Sequence, residues 1–394
     1  MNILFFCQLY PPAIYGGGEY IFFQYARELA RRGHRVFTIA QKLKGTEDFE
    51  IIDGINVFRT GSSVEYTGVL PVSMSSNFDY LVNALAKGIS IITNNEIDIV
   101  HSNTYIPALA GFVCARIFGK PHIVTFHDVY FLRRESFWGS WGSQSRSRGI
   151  VSLAGPLVER LLLKLPKTVY HTVSETSKED LLISKVRNAI VIPNGIDIQE
   201  YSNVASVKCD NFQVIFIGRL VFYKNLDTLI KSFKKVVEKV PKAKLVIVGD
   251  GSMKRAWQAL VGDLGLSEKV VFAGNVPHEE KVRLLASSSF LVLPSVVEGF
   301  GIVLLEAFAC SKPVLVSEVK PLTELVENGK NGYVIPPFDA DAWGDKIIAL
   351  LNNPAKTVEM GIYGRKRLEK SYTIPKVVDR LEELYSKTLT CKHT

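Results

Sequence analysis

"SFLVLPSVVEGFGIVLLEAFACSKPVLVS", residues 289–317, joins two short apolar runs through a longer apolar stretch. The runs at 289–295 and 312–317 are unbroken and β-rich, as parallel strands covered on both faces are. Between them Gly299 and Gly301 flank Phe300, and the spacing predicts a helix near 302–310. Strand, helix, strand in this order is the βαβ unit. Two features do not belong to a plain core crossover: Glu298 before the helix and Glu306 inside it.

The alternation extends outward in both directions. "FQVIFIG" (212–218), "KLVIVGD" (244–250) and "KVVFAG" (269–274) read as strands, with helices near 226–239, 253–264 and 279–287. Upstream, "NILFFC" (2–7), "RVFTIA" (35–40), "IDIVHS" (97–102), "HIVTFH" (122–127) and "TVYHTVS" (168–174) alternate with helical spacing over 19–32, 78–94, 104–117 and 153–164. "IPNGIDIQEYSNVASVKCDN" (192–211) interrupts the series with Pro, Asn-Gly and polar residues. The expectation is an α/β chain of two doubly wound domains, 1–198 and 199–372, with a C-terminal helix over about 373–394 packing back on the first. Domains of this kind bind ligands beyond the carboxyl ends of their strands, and two facing each other make a central cleft.

Composition bounds the classes. A chain of 394 residues exceeds one ordinary domain, and 47% hydrophobic with 22% charged residues matches a soluble globular protein. Cys7, Cys114, Cys209, Cys310 and Cys391 are odd in number and far apart, against a disulfide framework or a structural zinc and for buried thiols in a reducing cytosol. The N-terminus lacks a basic region and a small-residue cleavage site, so it reads as a first strand. No apolar run reaches the roughly 18 residues of a membrane span. The net charge of +8 is uneven: residues 131–167 hold seven Lys/Arg against two acids. There Arg133, Arg134, Arg146 and Arg148 interleave with Trp138 and Trp141, a pattern suited to an anionic surface or to a solvated loop. Leu153, Leu157, Leu161 and Leu165 then repeat every four residues beside Arg160, Lys164 and Lys167. That stripe suits a headgroup plane or the inner face of a helix. No nucleic-acid recognition motif accompanies the basic excess.

The loops after the strands carry the candidate chemistry. Gly16, Gly17 and Gly18 precede a helix, where backbone amides approach an anion or polar oxygen. His127 ends a buried strand at the rim, either packed there or facing a ligand. Gly218, Arg219 and Lys224 precede another helix, where two cations embrace a diphosphate or are simply solvated. In the opening stretch the free amides at the helix start suit a phosphate. Glu306, about 6 Å further along the axis, reaches a ribose diol. "DAD" at 339–341 resembles a metal motif, but it opens a helix, and Asp339 reads as its N-cap.

"GRLVFYKN", "VIVGDG", "IPNGID", "GGGEY", "TFHD" and the Glu298-x7-Glu306 element together resemble the retaining GT-B glycosyltransferases of family 4, over nearly the whole chain. The resemblance implies a GT-B fold and transfer of a hexosyl group from a UDP- or GDP-sugar to a lipid-linked or glycan acceptor, with no cofactor and no metal. It implies that Arg219 and Lys224 hold the donor diphosphate and assist its departure. It places Glu306 on the ribose, Glu298 on the donor sugar, and the amides around Gly299, Phe300, Gly301 and Ile302 over sugar and phosphates. It puts His127 near the anomeric carbon and Gly16–Gly17 near phosphate and acceptor. The protein is expected in the cytoplasm, with an anionic membrane face as a candidate partner. A sugar-nucleotide epimerase and a non-catalytic sugar-nucleotide-binding protein stand as alternatives.

Overall fold

The computed structural model describes residues 1–12, 16–65, 74–129, 148–204 and 207–390. The chain divides into two compact units, Met1–Asn194 with Ile374–Thr394, and Gly195–Thr373.

The first unit runs β1 (Asn2–Phe6), α1 (Gly17–Arg31), β2 (Arg35–Leu43), β3 (Phe49–Ile52), β4 (Ile55–Val64), α2 (Met74–Asn94), β5 (Ile99–Asn103), α3 (Ile106–Ile117), β6 (His122–Phe126), α4 (Arg148–Leu162), β7 (Thr168–Thr172), α5 (Glu175–Ile183) and β8 (Ala189–Val191). These strands form one sheet in the order β3-β4-β2-β1-β5-β6-β7-β8. All neighbours are parallel except β3 and β4. The sequence pattern places no element over this β3–β4 hairpin, although its turn is an Asp-Gly pair. Asp53 and Gly54 both take positive φ, 49° and 81°, as a two-residue hairpin turn matched to strand twist requires. β3 stays at the edge with Phe49 and Ile51 exposed, which hides it from a reading based on apolar runs.

The C-terminal helix Ile374–Thr390 belongs to this unit. Arg32 at the end of α1 pairs with Asp379 at 2.8 Å and also with Glu382, while His34 meets Glu382 at 2.7 Å. Tyr385 of the same helix is fully buried and starts a chain of hydrogen bonds under the sheet. Its hydroxyl lies 2.7 Å from His101 Nδ1, and His101 Nε2 lies 2.7 Å from Thr125 Oγ1. Thr125 Oγ1 is 2.8 Å from His171 Nδ1, and His171 Nε2 is 3.0 Å from the Ile192 carbonyl. Burial depresses both imidazoles and keeps them neutral, and because that carbonyl can only accept, His171 and, through Thr125, His101 each carry their hydrogen on Nε2.

The second unit runs β9 (Gln213–Ile217), α6 (Leu226–Lys239), β10 (Lys244–Val248), α7 (Lys254–Asp263), β11 (Val270–Gly274), α8 (His278–Ser287), β12 (Phe290–Leu293), α9 (Ile302–Ala309), β13 (Val314–Ser317), α10 (Leu322–Leu325), β14 (Gly332–Ile335), α11 (Ala340–Leu351) and α12 (Pro354–Ser371). Its sheet is wholly parallel in the order β11-β10-β9-β12-β13-β14. The chain enters and leaves this unit side by side, with Ile196 N–H donating to the Tyr372 carbonyl at 2.9 Å. Strand order reverses between β9 and β12 here, and between β1 and β5 in the first unit. Such switch points open a crevice at the carboxyl ends of the strands. The loops after these four strands carry Arg219 and Lys224, Glu298, the Gly16–Gly18 run, and the segment that follows Asn103.

Candidate active site

The loop after β9 turns through a 3₁₀ turn, Phe222–Lys224, into α6. Asn225 stands at the junction in the left-handed region, φ 52°. Its buried amide donates to the Pro294 carbonyl at 3.2 Å and to the Pro337 carbonyl at 2.7 Å, while its oxygen accepts from Thr228 Oγ1 at 2.9 Å. Val296 N–H adds a bond to the Tyr223 carbonyl at 2.8 Å. The loop after β9 is thereby tied to the loop after β12. The tie brings the Lys224 ammonium into an ion pair with Glu298. Arg219 donates from Nη2 to the Tyr223 hydroxyl at 2.8 Å.

Gly301, at φ 88°, is the N-cap of α9. Gly299 and Ile302 are half-buried around Phe300, which is buried and faces Tyr372 with ring centroids 6.3 Å apart. Glu306 is 7% exposed, a costly place for a carboxylate without a partner. Its partner is Lys281 of α8, with Nζ 2.8 Å from Oε1. The second unit's rim thus unites Gly218, Arg219, Lys224, Glu298, Glu306 and the start of α9.

Lys281, Tyr223 and Asn225 escape the sequence reading as site residues. Lys281 stands 25 positions before Glu306 on a different helix, a separation no local motif spans. Asn225 was legible as part of "YKN", and only the fold shows what its amide holds.

In the first unit Gly16 caps α1 and Gly17 opens it. His127, just beyond β6, is half-buried, and burial together with neighbouring His171 pushes its imidazole down to about 3. Its carbonyl accepts from Ser177 Oγ at 3.1 Å, and its Nε2 lies 3.2 Å from Asn103 Oδ1. Asn103 carries the same sequence signal as His127, a polar residue at the carboxyl end of a parallel strand. Arg133, Arg134, Trp138, Trp141 and Arg146 lie outside the described residues. Arg148 opens α4, and its side chain lies outside the described residues too. The leucine stripe is divided: Leu157 and Leu161 are 60% and 57% exposed, while Leu165 packs against the core beside Val158 and Leu162. Asp339 caps α11, accepting from Ala342 N–H at 2.9 Å, and Asp341 pairs with Lys235 at 3.1 Å. Cys7, Cys114 and Cys310 are buried free thiols, Cys209 is half-buried, and Cys391 lies outside the described residues.

Two largely parallel, doubly wound sheets in two units are the GT-B architecture. The comparisons agree. Residues 197–367 match the family described as "Glycosyl transferases group 1", and residues 15–200 match "Glycosyltransferase Family 4". The chain belongs to this glycosyltransferase family. It is 29% identical over 375 residues to an uncharacterized glycosyltransferase of Methanocaldococcus jannaschii, covering 89% of this chain and 91% of that one. Among solved structures, sucrose-phosphate synthase from Thermosynechococcus elongatus superposes with a TM-score of 0.82 at 21% identity, over 99% of both chains. Anabaena HepE in complex with UDP-glucose gives 0.73 at 20% identity, over 98% of this chain and 100% of that one.

Proposed function

We propose that the protein is a retaining hexosyltransferase. It moves a sugar from a UDP- or GDP-linked donor to a lipid-linked or glycan acceptor without a metal ion. The observation that carries the reading is the pair of cation–carboxylate contacts around the start of α9, Lys224 with Glu298 and Lys281 with Glu306. A nucleoside diphosphate sugar has a complement for both signs. Its diphosphate takes the ammonium of Lys224 and the guanidinium of Arg219, and its diols take the two carboxylates. The α9 amides add a further anion-facing end. HepE, solved with UDP-glucose, supports a UDP-linked donor.

In this reading Arg219 and Lys224 neutralise charge on the departing diphosphate, which is how an electrostatic site lowers such a barrier. Glu306 holds the ribose, Glu298 the transferred sugar, and the amides of Phe300, Gly301 and Ile302 cover the phosphates. His127 is assigned to the sugar and the Gly16–Gly17 loop to phosphate and acceptor. The lipid-linked acceptor is supported by α4 and the turn after it. Exposed Leu157 and Leu161 stand among exposed Arg160, Lys164 and Lys167, an arrangement suited to peripheral binding at an anionic, cytoplasmic membrane face.

The deciding experiment incubates the protein with a panel of UDP- and GDP-hexoses, with lipid and soluble glycan acceptors, after EDTA treatment. The expected result is an acceptor-dependent glycoside that keeps the anomeric configuration of the donor. An altered donor sugar formed without acceptor would instead make the protein an epimerase. Activity lost to EDTA and restored by Mg²⁺ or Mn²⁺ would overturn the metal-free mechanism.

A further inference from the structure

We infer that Asn103 is a positioning residue that fixes the proton of His127 on Nε2, so that Nδ1 is presented to a sugar hydroxyl as a hydrogen-bond acceptor. The grounds are hydrogen-bond roles. Thr104 contributes a backbone N–H, which can only donate, and it lies 2.8 Å from Asn103 Oδ1. That atom is therefore the amide oxygen, and the amide cannot be turned over. The other end agrees, since Asn103 Nδ2 points at Cys7 Sγ at 3.8 Å. The Cys7 thiol in turn spends its hydrogen on the Leu9 carbonyl at 3.2 Å, leaving sulfur as the acceptor. With both ends of the amide assigned, His127 Nε2, 3.2 Å from Oδ1, must carry the hydrogen.

The ring is held in place as well as in tautomer. The His127 carbonyl is taken by Ser177, whose own N–H is capped by Ser174 Oγ at 3.1 Å. Phe22 meets the ring nearly edge-on at 6.3 Å. Gly18 leaves the ring its space: a Cβ there would stand 2.9 Å from Nε2. What is left to a ligand is the lone pair of Nδ1. A neutral imidazole in this state accepts from an alcohol and has no hydrogen to give it. The matching ligand class is a hydroxyl-bearing one. This inference rests on the proposed transferase reading only for naming that hydroxyl a sugar's.

The test is a long-range ¹H–¹⁵N correlation of the histidine rings in the full chain at neutral pH, without donor. It decides the tautomer even if no sugar nucleotide is turned over. The His127 signals, assigned by their loss in His127→Gln, are expected to show a hydrogen-bearing Nε2 and a bare Nδ1. The opposite pattern in the wild type would overturn the inference outright. Asn103→Asp, which keeps an acceptor in place, is expected to preserve the pattern. Asn103→Ala is expected to mix the two tautomers and to lower kcat by roughly ten- to a hundredfold, the scale on which losing an orienting partner acts at a metal-bound imidazole, with KM for the donor little changed. Unchanged ring signals in a folded Asn103→Ala protein would also refute the role. If Asn103→Ala does not fold, Gly18→Ala serves instead: it is expected to shift the His127 signals by crowding Nε2, and unshifted signals count against the geometry.

Discussion

The second unit sets ion pairs beside its switch point, Lys224 with Glu298 and Lys281 with Glu306, while the first unit links β5, β6 and β7 through a row of imidazoles and hydroxyls. Around α9 each carboxylate has a lysine: Glu298 has Lys224, and Glu306 has Lys281 at 2.8 Å. The hydrogen-bonded row across β5, β6 and β7 is made of imidazoles and hydroxyls, with the Asp128 carboxylate just beyond β6. Tyr385, His101, Thr125 and His171 form a single buried row, and Asn103 holds His127. Both units are doubly wound sheets, so the contrast belongs to the side chains and not to the architecture. A charged rim suits an anionic diphosphate with hydroxyls beside it. The neutral pair of His127 and Asn103 suits the alcohol groups of sugars, which need direction more than charge.

Acid should separate the two units most strongly. The unfolded chain binds protons at its histidines near pH 6.5. The folded first unit resists, because burial pushes His171 down to about 4 and His122 to about 3, and depresses His101 as well. The stability these neutral imidazoles provide is therefore complete above pH 6.5 and is lost as pH falls toward 4. Each contributes a slope of about 1.4 kcal/mol per pH unit in that window. Hydrogen exchange at pH 7 and pH 5 should show peptides of β5, β6 and β7 losing protection before those of β9, β12 and β13. Equal loss in both units, or earlier loss in the second, would mean that the buried row does not control acid stability.

Next comes the charged rim itself. Lys224→Ala or Arg219→Ala should lower turnover by roughly 10²–10³, the scale of removing one preorganised electrostatic group. Lys224→Ala also leaves Glu298 without its ion-pair partner, so steady-state rates must be read beside a thermal unfolding curve. Near-normal rates in both folded variants would remove the leaving-group assignment.

A finer cut separates the two carboxylates. Glu306→Gln should weaken nucleoside diphosphate and nucleotide sugar alike, by about 1.5–3 kcal/mol, as loss of a charge-assisted hydrogen bond does. Lys281→Met should act in the same direction, because it strips the partner from a buried carboxylate. Glu298→Ala should weaken the intact donor more than the free diphosphate. Calorimetric titration of both ligands reads all three, and identical losses at positions 298 and 306 would erase the proposed division between ribose and sugar.

This contrast also explains what could be read from the sequence. Arg219, Lys224, Glu298 and Glu306 were legible because charged residues beside glycines at strand ends violate the apolar pattern around them. The switch point brings the first three to adjacent strands, as the alternation of strands and helices implied. Lys281 was not legible, because its meaning is an ion pair between separate helices. Asn103 and the histidine row were harder still. "IVHSN" reads as an ordinary buried strand ending in a polar residue, and only the parallel register of Asn103 with Thr125 shows what stands beside it. The β3–β4 hairpin is hidden for a different reason: its edge strand is short and partly exposed, although Asp53-Gly54 marks the turn.

A weaker effect is expected on the outer surface of the first unit. Beside the inward-facing Val158 and Leu162, α4 leaves Leu157 and Leu161 one turn apart and exposed. Arg160 lies between them in sequence, and Lys164 and Lys167 come after, all three exposed. Basic residues near an anionic bilayer contribute about 1 kcal/mol each, and apolar side chains add to this when they enter the headgroup boundary. The attachment should be reversible and salt-sensitive. Sedimentation with phosphatidylserine-containing vesicles should pull down the wild type at low salt and release it at high salt. Arg160→Gln with Lys164→Gln should weaken binding by about 2 kcal/mol on that scale. Leu157→Ser with Leu161→Ser should weaken it on neutral and anionic vesicles alike. Wild-type protein that stays in the supernatant at low salt would rule out a membrane face and make a soluble acceptor the better choice. Binding that ignores both double variants would move the contact away from α4.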